Sequence, residues 1–168
     1  KVHTVVVDKT GTLTEGKPKV VHIQAAPGRT EEDVLQKLAS VERASEHPLA
    51  LAIVNSAIER GLTLSPATGF DSPVGKGVVG QVDGVSVVCG NPNFLREHGV
   101  DVQSLAAAAE EHRSKASTVI FVALNGQLAG FVAIADPVRQ TTPQAIDLLR
   151  KEGLRIIMLT GDGRTTAE

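Results

Sequence analysis

The strongest constraint on the fold is a pair of short apolar runs at opposite ends of the chain. Val2-His3-Thr4-Val5-Val6-Val7 is β-branched and stops abruptly at Asp8, and Arg155-Ile156-Ile157-Met158-Leu159 stops at Thr160-Gly161-Asp162. Runs like these read as buried strands of a parallel sheet whose faces are covered by helices. The segment between them follows a different grammar. Val78–Val82 and Val85–Val88 flank Asp83-Gly84, and Thr118–Leu124 and Gln127–Ala135 flank Asn125-Gly126, two strong hairpin signals. A parallel layer built from both ends and an antiparallel middle is the order produced when one domain is inserted into another. The expected division gives 1–20 and 131–168 to a discontinuous outer domain and 21–130 to the insert.

The remaining elements fit this plan. Lys19–Ala25 is a second extended piece, broken by Pro27-Gly28. Thr30 caps a helix with acidic Glu31, Glu32 and Asp33 in its first turn and Val34, Leu35, Leu38 and Val41 or Glu42 at helical spacing. Pro48 opens another that carries Leu49, Ala52, Ile53, Ala57 and Ile58 on one face and ends at Gly61. Val102–Arg113 and Thr141–Lys151 are also predicted helices, the latter terminated by Gly153. The fold class is therefore α/β with an α+β insert.

Composition removes several functions. With 17 Lys+Arg against 19 Asp+Glu the formal net charge is −2, so no basic face points to nucleic acid. Four Phe with no Tyr or Trp leave no stacking platform for single strands. One cysteine, Cys89, allows no intrachain disulfide and reads as a small buried strand residue. No apolar run nears the roughly 20 residues that cross a bilayer. His3, His22, His98 and His112 show no ligand spacing with one another or with a carboxylate cluster, so no metal-binding site is expected among them. The first residue is not Met and the last residues, Thr166-Ala167-Glu168, read as the start of a helix. Both ends read as cut, and the chain is expected to be a fragment of a longer protein.

Chemistry is expected where the parallel strands end. If they are neighbours, the Asp8 carboxylate, the Thr160 hydroxyl and nearby glycine amides converge on one spot. Such a set suits a phosphoryl group: the carboxylate attacks phosphorus while hydroxyl and N–H groups hold its oxygens. Two anions meeting there require a divalent cation with oxygen ligands, Mg²⁺ above all. Taken alone, Asp8 also reads as a turn residue and Thr160-Gly161-Asp162 as a helix cap. Gly75-Lys76-Gly77-Val78-Val79-Gly80 fits the dinucleotide pattern literally, but a hairpin follows it rather than a helix. A P-loop also fails, because Gly77 stands where Ser or Thr must follow Lys76.

The complete strings go further. Asp8-Lys9-Thr10-Gly11-Thr12-Leu13-Thr14 resembles the phosphorylation signature of P-type ATPases, and Thr160-Gly161-Asp162 resembles that family's second motif. Ser45-Glu46-His47-Pro48-Leu49, the glycine motif 75–80 and Gly90-Asn91 resemble the nucleotide-binding lobe of its heavy-metal class. Asp136-Pro137-Val138-Arg139 resembles the hinge where the lobe returns. The resemblance covers essentially the whole chain and implies a partial Rossmann-like phosphorylation domain of haloacid-dehalogenase type, interrupted by an α+β nucleotide-binding domain.

It further implies that Asp8 accepts the γ-phosphoryl group of ATP. Lys9, Thr10, Thr160, Gly161 and Asp162 would position phosphate and Mg²⁺, with Asp8 and Thr10 as partial Mg²⁺ ligands. Glu46 and His47 would meet adenine, while Gly75, Gly77, Gly90 and Asn91 would line the nucleotide path. Asp136 and Arg139 would form the hinge. The implied parent is an integral membrane exporter of copper(I) or silver(I), with this region on the cytoplasmic face. Its transmembrane and actuator domains would lie elsewhere in the polypeptide, and this part would make no direct membrane contact. A zinc or cadmium pump and a soluble haloacid-dehalogenase-type phosphatase are the alternatives. The phosphatase would carry an Asp two residues after the nucleophile, where this chain has Thr10.

Overall fold

The two end strands do pair. The computed structural model describes residues 2–159. In chain order its elements are β1 (Thr4–Asp8), β2 (Lys19–Ala25), α1 (Glu31–Glu42), α2 (Pro48–Glu59), β3 (Ala67–Asp71), β4 (Gly77–Val82), β5 (Val85–Gly90), α3 (Pro92–Glu97), α4 (Gln103–Ser114), β6 (Thr118–Leu124), β7 (Gln127–Ala135), α5 (Thr142–Lys151) and β8 (Arg155–Leu159). They fall into two compact units, Lys1–Pro18 with Asp136–Glu168, and Lys19–Ala135.

In the first unit β1 and β8 run parallel, in register from Thr4 opposite Arg155 to Asp8 opposite Leu159. A wide turn over Lys9–Leu13 follows β1, closed by the Thr14 N–H donating to the Lys9 carbonyl at 3.1 Å. Val6, Leu148 and Leu159 of this unit are all more than half exposed.

The second unit is a six-stranded antiparallel sheet in the order β2-β7-β6-β5-β4-β3. Both hairpins turn where expected, with positive φ at Asp83 and Gly84 and at Asn125 and Gly126, the twist that matches paired strands. The continuous apolar runs of β6 and β7 follow from burial on both faces. Phe121, Ala123, Phe131 and Ala133 pack with Phe94 and Leu95 of α3 and Leu105 and Ala109 of α4. Val122, Leu124, Val132 and Ile134 instead face Val34, Leu35 and Leu38 of α1 and Ile53 of α2. The period of two thus sorts each strand between two cores.

The division between units differs from expectation. Lys19 pairs with Ala135, so the ladder between β2 and β7 runs two residues earlier and five residues later than the expected limits. The boundaries lie at 18/19 and 135/136, because cutting at 20 and 131 would break that ladder. Helix α3 was not foreseen; its Asn91 cap accepts the Phe94 N–H at 2.9 Å and its Phe94 and Leu95 are buried.

On the α4 face, the rings of His22 and His112 stack with centroids 4.4 Å apart and planes 17° from parallel, beside Phe131. Burial, and then the neighbouring His22, push the His112 imidazole below its ordinary pKa, against the opposing pull of Glu111; Lys115 lowers it further. The unfolded chain therefore binds the extra proton more readily, and stability rises with pH through this window. Urea unfolding should show stability lost as pH falls from 7 towards 5, and His112→Phe should flatten that dependence.

Candidate functional site

Two sets of expected residues are assembled, one in each unit. In the first, Asp8 closes β1 with an exposed side chain and sits opposite Leu159, the last residue of β8. The expected Thr160, Gly161 and Asp162 lie outside the described residues. The turn after Asp8 depends on Gly11, whose φ of +76° costs a side-chain-bearing residue roughly 1–2 kcal/mol.

Residues 136–142 hold that turn by its carbonyl groups. Arg139 donates through Nη2 to Gly11 and through Nε to Thr14, both at 2.9 Å, and its own N–H reaches the Leu13 carbonyl at 3.0 Å. The Thr142 hydroxyl adds a bond of 2.7 Å to the same Leu13 carbonyl. Asp136 accepts the Thr14 hydroxyl at 2.5 Å and the Lys17 N–H at 3.0 Å. Asp136 and Arg139, expected at a hinge, are therefore direct partners of the turn after Asp8, and both sit in the first unit.

In the second unit the glycines have two different reasons to be glycine. Gly75 has a φ of +71° and open space where a Cβ would stand. At Gly77 a Cβ would lie 2.0 Å from the Cys89 carbonyl and 2.6 Å from the Phe94 ring, because Gly77 pairs with Gly90. Gly90 is as tight, with the Lys76 carbonyl 2.3 Å from its Cβ position. So Gly75 is open towards solvent, whereas the bare backbones of Gly77 and Gly90 are required by their own contact and by α3. Asn91 ties the group together: its side chain donates to the Gly75 carbonyl at 3.1 Å while capping α3. Lys76 turns to Glu97, with Nζ 3.0 Å from both carboxylate oxygens.

Glu46 and His47 are exposed before α2. His47 is the cap of that helix, its Nδ1 accepting the Leu49 N–H at 3.1 Å, and its own N–H donates to the Ser45 hydroxyl at 3.2 Å. The local structure thus fixes which ring nitrogen is engaged and leaves the other free.

Glu42 was missed. It is 7% exposed, at the end of α1 beside Ser45, and burial raises its carboxyl pKa. Its charge also raises the Cys89 thiol, next in sequence to Gly90, after burial has done most of that. The available signal was a carboxylate on a helix face otherwise filled by Val34, Leu38 and Val41.

Among the described residues no group of three or more His, Cys, Asp or Glu could hold a metal ion. The exposed Asp8 carboxylate is an oxygen donor of the type that Mg²⁺ takes. No described helix is long and apolar enough to cross a membrane.

The haloacid dehalogenase-like hydrolase family matches residues 2–168. The chain belongs to this family. Within it, the chain is 52% identical over 168 residues to a copper-transporting P-type ATPase of Rhizobium leguminosarum bv. viciae, covering 99% of the chain and 20% of that relative. It is 47% identical over 168 residues to a silver exporting P-type ATPase of Salmonella typhimurium, covering 100% of the chain and 20% of that protein. A crystal structure of a zinc-transporting PIB-type ATPase in the E2.Pi state matches with a TM-score of 0.83 and 35% identity, over 99% of the chain and 27% of that chain. This haloacid dehalogenase-like chain thus spans about a fifth of the length of the curated relatives it matches.

The glycine contacts generate a sharp contrast. Gly77→Ala should destabilise the 19–135 unit by about 1–3 kcal/mol through overpacking, whereas Gly75→Ala should cost about 1 kcal/mol through its positive φ. Urea titration of both variants measures the difference.

Proposed function

We propose that this chain is the ATP-binding and phosphoryl-accepting part of a P-type ATPase that exports copper(I) or silver(I). The observation that carries the reading is Asp8 at the tip of a parallel strand, followed by a turn whose carbonyls are held by Asp136–Thr142 partners. The family relation and whole-chain similarity to copper- and silver-transporting ATPases support it. Cargo follows those relatives rather than the zinc transporter, which is less similar at 35% identity.

In this reading the 19–135 unit binds ATP. Adenine lies by Glu46 and His47, with Glu42 as a buried acceptor beneath them. Gly75 leaves room for the nucleotide backbone, and Gly77, Gly90 and Asn91 set the shape of that wall. A carboxylate oxygen of Asp8 attacks the γ-phosphorus. The new O–P bond forms as the bond to the bridging β–γ oxygen breaks, and ADP leaves with that electron pair. Lys9 and the Thr10 segment, with Thr160, Gly161 and Asp162, hold the transferring oxygens. Asp8 and Thr10, among others, would hold Mg²⁺, which when bound would neutralise charge on the carboxylate and the phosphates.

Thr10 separates this reading from a soluble phosphatase. It cannot serve as a general acid–base for water attacking the aspartyl phosphate, so the intermediate persists. A pump requires that persistence while its membrane helices rearrange. The parent protein would place this region at the cytoplasmic face, with transmembrane and actuator domains as its partners.

Two measurements test the reading. In the parent protein, γ-phosphate of ATP should label an acid-stable, hydroxylamine-labile site, and Asp8→Asn should abolish the label; persistence of label in Asp8→Asn refutes the acceptor. In the 168-residue chain, His47→Ala should weaken ATP binding about tenfold by calorimetric titration, the scale of one lost charge-assisted or stacked contact. Unchanged affinity removes His47 from the nucleotide site.

A further inference from the structure

The first unit exposes its apolar side chains yet buries two hydroxyls. Among its described residues Thr14 and Thr142 are the buried ones, at 2% and 6% exposure, while Val6, Leu148 and Leu159 are more than half exposed. A buried hydroxyl is retained where its hydrogen bond is made. Thr142 opens α5, where a threonine ordinarily serves its own helix. Its hydroxyl instead leaves the helix for the Leu13 carbonyl, 129 positions away in sequence, at 2.7 Å. The preceding Thr141 makes no side-chain capping bond either.

We propose that Thr142 is a positioning residue for phosphoryl transfer, acting by fixing the Leu13 carbonyl of the acceptor loop. With Arg139 it engages the carbonyls of Gly11, Leu13 and Thr14, while the Lys9 carbonyl receives the Thr14 N–H. Oxygens committed in this way cannot swing towards an incoming phosphate or compete for its cation. Thr10 lies between them, exposed and outside that set, with φ −72° and ψ 123°. The loop therefore presents Asp8, with Thr10 and Thr12 outside the bonded set, and withholds the carbonyls of Lys9, Gly11, Leu13 and Thr14. Losing the Thr142 hydroxyl frees one lone pair of Leu13 beside the acceptor and loosens the turn. The inference rests on Asp8 being the acceptor.

Thr142→Val keeps the side-chain shape and removes the donor. Amide exchange across residues 9–14 of the 168-residue chain should become about tenfold faster, with residues 19–135 unchanged. In the full-length parent, the Mg²⁺ concentration giving half-maximal phosphoenzyme should rise about five- to tenfold at unaltered ATP affinity. Thr142→Ser should restore both. A folded Thr142→Val variant with wild-type exchange and wild-type Mg²⁺ dependence overturns the proposal. Should Thr142→Val fail to fold, Thr142→Ala carries the test: it too removes the hydroxyl that reaches Leu13 and must show the same paired changes, and wild-type behaviour in it overturns the proposal. Absence of label on Asp8 in the unmodified parent defeats the underlying acceptor assignment instead, and the exchange measurement still decides whether Thr142 holds the loop.

Discussion

The structure of the first unit depends on hydrogen bonds between two segments far apart in sequence, the turn after Asp8 and the stretch from Asp136 to Thr142. Parallel strands need a crossover connection, and here an entire second unit is spliced into it. The splice is tolerated because the insert's own ends meet: Lys19 and Ala135 are opposite each other in the ladder of β2 and β7. A chain leaving at Pro18 therefore returns close by at Asp136. Asp136 then accepts the Lys17 N–H and the Thr14 hydroxyl, sealing the point of return. Loop-closure entropy grows only slowly with length, so the size of the insert adds little to the cost of pairing the ends.

The insert solves a different packing problem. Its antiparallel sheet is covered on both faces, by α1 and α2 on one and α3 and α4 on the other. At the ends of β4 and β5 two backbones approach closely, and there Gly77 meets Gly90. Asn91 and Glu42, both placed by that packing, bring polar groups to the same end of the sheet.

Most of this architecture is legible in the residues themselves. Asp83-Gly84 and Asn125-Gly126 dictate their turns locally, and the Thr30 and Pro48 helix starts follow from capping chemistry; each needs only neighbouring sequence. What was not legible depends on distant partners. Helix α3 is six residues long and is stabilised by burying Phe94 and Leu95 against β5 and β6, so periodicity gives it no signal. The reason for Gly77 is the Cys89 carbonyl across a strand pair. Spacing puts Glu42 on the apolar face of α1, but the depth of its burial is set by what packs against that face. Thr142 looked like an ordinary helix start, since its partner is Leu13. The unit boundaries moved because ladder register, rather than composition, decides where β2 begins and β7 ends.

Under the proposed function, separate tasks would fall to separate chemistry: an oxygen nucleophile on a strand tip, a neighbouring threonine that cannot promote hydrolysis, and a nucleotide lobe shaped by glycine. The central claim is that phosphorus becomes bonded to one particular carboxylate. Borohydride reduces an acyl phosphate to an alcohol, so acid-quenched parent protein treated with borohydride and sequenced by mass spectrometry reports the acceptor directly. The account predicts homoserine at position 8 after incubation with ATP and Mg²⁺. Homoserine at another aspartate, or unmodified Asp8 in protein that has turned over ATP, would contradict it.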